Sequence, residues 1–373
     1  MERTRFLSLD VFRGMAVCLM IIVNTPGAGA EPWYIMDHPE WFGFTIADIV
    51  FPSFLFAVGN AMALGAAGRT SEAEFWKKVM RRTAIIFALG VLTYWFPFFR
   101  ETADGWVYRP FATTRILGVL QRIALCYFFA TVAARYLGVR GLIALSAILL
   151  LGYWGILLAG APDATTAFSK TGNVGNAVDL AVLGQAHMYR GDHGFEPEGL
   201  LSTLPAIVNV ILGYLAGLYI RNNGVNRQTV NRFLIAGAVL IVAALLWNPL
   251  FPIFKKMWTS SFVLLTVGID LAVLASLMSW IDIGKHKFGV RFFEIFGRNA
   301  IALYVVAELL EMGMGYIRLW GHDGPGVWGW FGMHVMQGLA PGPLGSLLTA
   351  ILYMLLCWLV GLWLYRRNIT IRA

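Results

Sequence analysis

The apolar residues of this chain are gathered into about ten runs, each near the ~20 residues that a helix needs to cross a bilayer. They lie near 7–25, 45–66, 82–99, 113–136, 141–160, 200–220, 232–248, 259–281, 293–315 and 343–365. Lipid offers no partner to a backbone N–H or C=O, so repeated runs of this length are expected to be helices. The fold expected is all-α: a polytopic membrane protein with about ten transmembrane helices in one bundle, forming a single domain over residues 1–373. With 58% hydrophobic and 13% charged residues, the chain cannot keep most of its side chains in water. The run from Leu7 to Val23 has no Ala-x-Ala-like exit and a second run follows closely. It therefore reads as a retained span rather than a cleaved signal peptide, with the mature chain expected to begin at Met1.

The net charge of +8 invites a nucleic-acid reading, but the basic residues stand singly or in pairs at span ends. Topology accounts for them better, and no nucleic-acid partner is expected. Assigning loops alternately to two sides gathers most of them on one, among them Arg3, Arg5, Arg69, Lys77, Lys78, Arg81, Arg82, Arg221, Lys285, Lys287 and Arg366. That side is cytoplasmic by the positive-inside rule. Both termini are then expected in the cytoplasm, and the loops 26–44, 100–112, 161–199 and 319–343 on the outer face. The longest of these carries Asn173, Asp179, His187, Asp192, His193, Glu196 and Glu198, has no periodic core of its own, and reads as a cap over the bundle.

The first outer loop sets His38 among aromatics and carboxylates, in Trp33-Tyr-Ile-Met-Asp-His38-Pro-Glu-Trp41-Phe-Gly-Phe-Thr-Ile-Ala-Asp48. Histidine exchanges protons near neutral pH, and aromatic neighbours suit a sugar. The same residue types also anchor proteins at the membrane interface. Within the spans, polar groups are costly and each needs a reason. Asp10 and Arg13 are three apart on one helical face, the spacing of a structural salt bridge. Asn24 ends the first run before the turn-rich Thr-Pro-Gly-Ala-Gly, as a helix cap or beside a segment whose backbone can approach a ligand.

Arg122, following Gln121 inside the fourth run, requires either an anionic ligand or an internal acid such as Asp48, Asp270 or Glu308. Lys255, Lys256 and Trp258 read as ligand contacts or snorkelling anchors, and Arg298 with Asn299 as a contact for anionic groups or for lipid headgroups. Cys18, Cys126 and Cys357 all lie in apolar runs, which argues for packing rather than a disulfide framework or a thiolate metal site. His187 and His193 are six apart, and His322 and His334 twelve apart, so no metal is expected. Gly213-x-x-x-Gly217 fits close helix packing, with oligomerisation as its functional reading.

Six ordered blocks then combine: Leu7-Ser-Leu-Asp10-Val-Phe-Arg13-Gly14; Val23-Asn24; His38 through Pro52; Gly118-Val-Leu-Gln-Arg122-Ile-Ala; Glu196-Pro-Glu198-Gly-Leu-Leu-Ser202-Thr203; and Lys255-Lys256-Met-Trp258-Thr-Ser-Ser-Phe262. Together they closely resemble the transmembrane acyltransferases of the heparan-alpha-glucosaminide N-acetyltransferase type, in particular their short bacterial members. The resemblance implies transfer of acetyl from cytoplasmic acetyl-CoA to an amino-sugar or glycan acceptor across the membrane. It further implies a multi-pass protein of the bacterial inner membrane with its active site open to the periplasm, and a possible homodimer.

On this resemblance His38 is the catalytic histidine, as general base or acetyl carrier, and Asn24 its catalytic partner. Arg122, Ser202, Lys256, Trp258, Arg298 and Asn299 are the expected donor contacts, Trp41, Asp48 and Glu198 the expected acceptor contacts, and Asp10 and Arg13 a structural pair. Phe42, Glu196 in place of the family's usual Asp, and a longer Asn24 to His38 loop depart from the pattern, all on the acceptor side. The rival readings are a polytopic transporter of a small anionic or sugar substrate, suggested by the buried charges, and a scaffold assembled through Gly213 and Gly217.

Overall fold

The computed structural model describes residues 6–65, 71–102, 105–192, 194–318 and 324–371. Arg3, Arg5, Arg69, His193, His322 and the start of the 319–343 loop lie outside these residues. Among the described residues the chain is all-α and polytopic, the exception to helix being a short antiparallel hairpin of Phe99–Thr102 and Gly105–Tyr108. Helices occupy every expected run: Leu7–Asn24, Ile46–Gly65, Glu72–Trp95, Val119–Tyr136, Val139–Ala159, Thr203–Asn223, Arg227–Trp247, Ser260–Leu277, Ala300–Tyr316 and Pro343–Arg366. Seven are both long and apolar enough to cross a membrane. The other three carry charge: Lys77, Lys78, Arg81 and Arg82 in Glu72–Trp95; Arg122 and Arg135 in Val119–Tyr136; Glu308 and Glu311 in Ala300–Tyr316.

Helix edges differ from the apolar runs where capping overrides hydropathy. The third helix starts at Glu72, ten residues before its run, because the Ser71 side chain accepts the Glu74 N–H and Glu72 and Glu74 occupy its positive first turn. The fourth starts at Val119, later than its run, since residues 111–113 form a 3₁₀ turn and Ile116 donates its N–H to His187 O at 3.1 Å. The ninth run is broken at Asn299 into Val290–Arg298 and Ala300–Tyr316. The 161–199 loop, expected without periodic structure, contains the helix Val174–Leu183, capped by Asn173 accepting the Asn176 N–H at 2.8 Å. The described part of the loop before residue 343 is also largely helical, with Val327–Phe331, Gly332–Met336 and Gln337–Leu339.

The chain forms two compact units. In the first (residues 1–39, 45–51 and 285–373), Leu7–Asn24 and Val290–Arg298 cross at reciprocal glycines. A Cβ on Gly14 would fall 1.9 Å from Phe293 O, and one on Gly297 2.0 Å from Asp10 O. Arg13 binds at this crossing, donating to Gly297 O at 3.1 Å and to Asp10 Oδ1 at 3.4 Å, so the expected structural pair is present. Within the Thr25–Gly29 stretch, Gly27 packs on its own chain: its N–H donates to Ser346 O at 3.1 Å, and a Cβ there would meet Thr349.

In the second unit (residues 40–44 and 52–284), Gly213 and Gly217 are consumed inside the chain. A Cβ on Gly213 would meet Phe56 O at 2.1 Å, one on Gly217 would meet Asn60 O at 2.9 Å, and one on Gly59 would meet Val210 O at 2.0 Å. This motif therefore packs Thr203–Asn223 against Ile46–Gly65, which corrects its reading as an oligomerisation face. The three cysteines are buried in helices, as packing residues should be.

Candidate active site

His38 is held by the start of a helix. Thr45 precedes Ile46–Gly65, and Asp48 in its first turn reaches back to accept the Thr45 N–H at 3.0 Å, one half of a capping box. The Thr45 hydroxyl donates to Asp37 O at 2.7 Å, and Asp37 Oδ1 accepts the His38 N–H at 2.8 Å. These bonds fold the loop so that His38 Nδ1 lies 2.8 Å from Asp48 Oδ1. Asp48 is 1% exposed, while the imidazole is 34% exposed. Facing a carboxylate acceptor, Nδ1 carries the hydrogen and Nε2 the basic lone pair. Of the acids flanking the histidine, Asp48 is thus a ring partner. Asn24 is the exposed last residue of Leu7–Asn24, whose end is closed by Thr25 N donating to Ile21 O rather than by the Asn24 side chain.

The second unit assembles a separate set of charges. Trp41 is half-buried against Phe195 and Phe254, at ring distances of 5.0 and 5.4 Å, and its indole N–H donates to Phe168 O at 2.9 Å. The Lys170 ammonium lies 5.6 Å over its ring. Lys170 and Lys256 converge on one carboxylate, Asp192, the latter at 2.7 Å.

Arg115 binds Glu196 through Nε, at 3.0 Å, and through Nη2, which it also directs to Glu198. Its guanidinium is sandwiched by Tyr189 and Tyr94 at 4.6 and 4.9 Å. Burial works against the Arg115 charge, but Tyr94 and the two glutamates outweigh it and hold the guanidinium well above its ordinary pKa. Burial alone would raise Glu198 too, yet Arg115, Arg122 and Lys255 outweigh it and hold this carboxyl below the usual range. For Glu196 burial dominates and raises the carboxyl, with Arg115 pulling the other way.

Arg122 is 1% exposed. Its Nη2 donates to Gly199 O at 3.1 Å and to the Ser202 hydroxyl, and its guanidinium lies 5.0 Å over the Trp258 ring. Nε and Nη1 have no hydrogen-bond partner among the described residues. Of the internal acids suggested for Arg122, Asp48 bonds His38, and Asp270, in the same unit as Arg122, accepts from Ser53. Trp258 is likewise no interfacial anchor, being 1% exposed and donating its indole N–H to Asn209 Oδ1 at 3.0 Å. It adopts φ 52°, a left-handed conformation that a bulky residue takes only where its surroundings impose it. The structure thus gathers Arg122, Ser202 and Trp258, and connects Glu198 to them through the Glu-Pro-Glu-Gly turn.

Arg298 and Asn299 belong to the first unit. Arg298 pairs with Glu294 at 3.1 Å and lies 4.2 Å over the Tyr365 ring. Asn299 ties down the C-terminal tail, donating to Ile369 O at 3.0 Å and accepting the Ile371 N–H at 2.7 Å. The residues that sequence reasoning did not single out are Arg115, Lys170 and Asp192. Their signal was weak: an arginine at the edge of the fourth run, and two isolated charges in a long loop.

Asp179 braces the Glu-Pro-Glu-Gly turn. Its Oδ1 accepts the Leu200 N–H at 2.8 Å, and a Cβ on Gly199 would fall 2.0 Å from Oδ2. Burial pushes its carboxyl up to about 6, against the Leu200 N–H and Arg122, which lower it. An acid with a raised folded pKa makes the fold bind more protons than the unfolded chain between about pH 4 and 6, so its contribution to stability falls as pH rises through that window. Asp179→Asn is therefore expected to flatten the pH dependence of thermal stability there and to gain on the parent protein near neutral pH. Unfolding in lipid across a pH series checks this, and an unchanged slope would exclude it.

Residues 5–245 match the profile of the heparan-alpha-glucosaminide N-acetyltransferase catalytic family, a stretch that contains His38, Asp48, Arg115, Arg122, Glu196, Glu198 and Ser202. The chain is 26% identical over 364 residues to heparan-alpha-glucosaminide N-acetyltransferase of Mus musculus and 25% identical over 366 residues to that of Homo sapiens. Each comparison covers 82% of this chain, and 54% and 53% of the respective relatives. The chain spans about half the length of the curated relatives it matches.

Proposed function

Because the chain belongs to the heparan-alpha-glucosaminide N-acetyltransferase family, we propose that it is a transmembrane acetyltransferase using cytoplasmic acetyl-CoA and an amino-sugar acceptor on the periplasmic side of a bacterial inner membrane. The observation that carries the chemistry is the His38–Asp48 pair, a half-exposed imidazole aligned by a buried carboxylate at 2.8 Å. An amino sugar is largely protonated at neutral pH and cannot attack until that proton leaves. His38 Nε2 takes it, Asp48 stabilises the imidazolium through Nδ1–H, the freed nitrogen forms its bond to the acetyl carbon as the carbon–sulfur bond breaks, the imidazolium returns its proton to the departing thiolate to give the thiol, and the second proton of the new amide nitrogen leaves through His38 to solvent. Asn24, in the same unit, is assigned to the developing oxyanion.

Acetyl-CoA supplies an activated thioester together with phosphates and a polar arm. The buried Arg122, with two nitrogens unpartnered among the described residues, has the donor character that a carbonyl or phosphate oxygen requires, and Ser202, Trp258 and Lys256 complete that set. Arg298, with 27% of its side chain exposed, is assigned to the nucleotide end, whereas Asn299, 2% exposed and with its amide committed to Ile369 and Ile371, is left as a structural residue. Trp41 and Glu198 are assigned to the acceptor, the indole offering a ring face to a sugar.

The test is purified protein in lipid with labelled acetyl-CoA and glucosamine. Acetylated sugar, together with thermal stabilisation by acetyl-CoA, is expected; absence of both would reject the donor assignment. Asp48→Asn is expected to fold and to lower kcat by about 10²-fold or more, because the amide can donate to Nδ1 and favour the wrong tautomer. A displaced pH profile of kcat at little-changed KM distinguishes such a positioning role from a purely structural one.

A further inference from the structure

Among the buried residues of the second unit that keep unpartnered polar atoms, Arg122, Asp270 and Asn60 fall along one polar seam. From Arg122 over Trp258, the seam runs to Asn209, whose Nδ2 donates to Thr266 Oγ1 at 3.3 Å. One turn along the same helix, Asp270 Oδ1 accepts the Ser53 hydroxyl at 2.5 Å. Seven residues after Ser53, on the same helical face, Asn60 donates to Phe56 O at 3.0 Å. Asp270 Oδ2 and Asn60 Oδ1 have no hydrogen-bond partner among the described residues, and the two residues are 1% and 2% exposed. A buried polar atom left unmatched costs about 1–3 kcal/mol, so two along one seam need a reason.

In the ten-span topology, Val119–Tyr136, Thr203–Asn223, Ser260–Leu277 and Ile46–Gly65 all run inward from the outer face. At 1.5 Å per residue, Arg122 lies about 5 Å into its helix, Asp270 about 15 Å and Asn60 about 21 Å. Because Asp270 bonds Ser53 directly, and Asn60 lies seven residues further along the same helix, the two orphaned acceptors are about 10 Å apart along the seam. Resting on the acetyl-CoA reading above, we propose that Asp270 and Asn60 accept the two amide N–H groups of the donor's pantetheine arm, and so form a track that holds the arm with its thioester toward Arg122. The two amide nitrogens are joined through one β-amino acid residue, roughly 5 Å when extended, and a hydrogen bond of about 3 Å at each end carries the reach to the spacing of the acceptors. Thr266 and Asn209 continue the polar lining between the track and Arg122.

The probe is S-acetylpantetheine, which lacks the nucleotide, competed against labelled acetyl-CoA on protein in lipid nanodiscs. Asp270→Leu and Asn60→Ala are each expected to weaken it at least tenfold, with Asp270→Asn, which keeps shape and one acceptor, losing less. A second probe, an acetyl thioester of an alkyl thiol of equal length without amides, is expected to bind the parent protein and the variants alike. If the parent protein binds acetyl-CoA but the variants keep their affinity for S-acetylpantetheine, or lose both probes equally, the track is overturned and the donor reading stands. If the parent protein does not bind acetyl-CoA at all, the donor reading itself fails.

Discussion

His38→Ala is expected to reduce acetyl transfer to glucosamine by about 10²–10⁴-fold, the usual worth of a positioned general base, while leaving acetyl-CoA-dependent stabilisation intact. The side chain is 34% exposed and the loop is also tied by Thr45 to Asp37 and by Asp37 to the His38 backbone, so truncating the ring leaves these bonds in place. Two measurements separate the alternatives. Initial rates with labelled acetyl-CoA read the chemistry, and thermal shifts with and without acetyl-CoA read donor binding. Labelled acetyl retained on the parent protein after denaturation, and absent from the variant, would identify His38 as an acetyl carrier rather than a base. Full activity in the variant would remove His38 from the mechanism.

The second large effect is on the fold. Arg115→Leu removes the cation shared by Glu196 and Glu198, whose side chains are 0% and 11% exposed. Breaking a buried ion pair from one side typically costs about 3–5 kcal/mol, because the remaining charge stays desolvated. A large drop in melting temperature is expected, and Glu196→Gln in the same chain is expected to recover part of it. Arg115→Lys cannot reproduce the fork that binds Glu196 through Nε and Nη2, so it should fall between the two. A neutral Arg115→Leu would mean that this network is solvated and contributes little.

The helices were legible because hydrophobic runs and lipid permit only one regular solution. What hydropathy does not encode is local capping. The third helix begins at Glu72 because the Ser71 side chain caps it, and the ninth run breaks at Asn299, which binds the tail at Ile369 and Ile371 across a separation no sequence window spans. The site divides in the same way. His38 and Asp48 stand in one short block, but the sequence assigns Asp48 to the acceptor and leaves the ring's carboxylate open between neighbouring acids; the fold of the loop is what brings Asp48 to Nδ1. Arg115 and Glu196 are 81 residues apart, and nothing local announces their pairing. Gly213 and Gly217 carried the right physical meaning, close approach, but the partner proved to be a helix of the same chain.

Asp48 holds two appointments at once: one oxygen closes the opening turn of a helix and the other aims an imidazole. Order in that turn and the aim of the ring are consequently a single degree of freedom. Fraying there releases the imidazole from its carboxylate. The side chain also has little latitude, since adding a methylene or removing a charge disturbs both duties together.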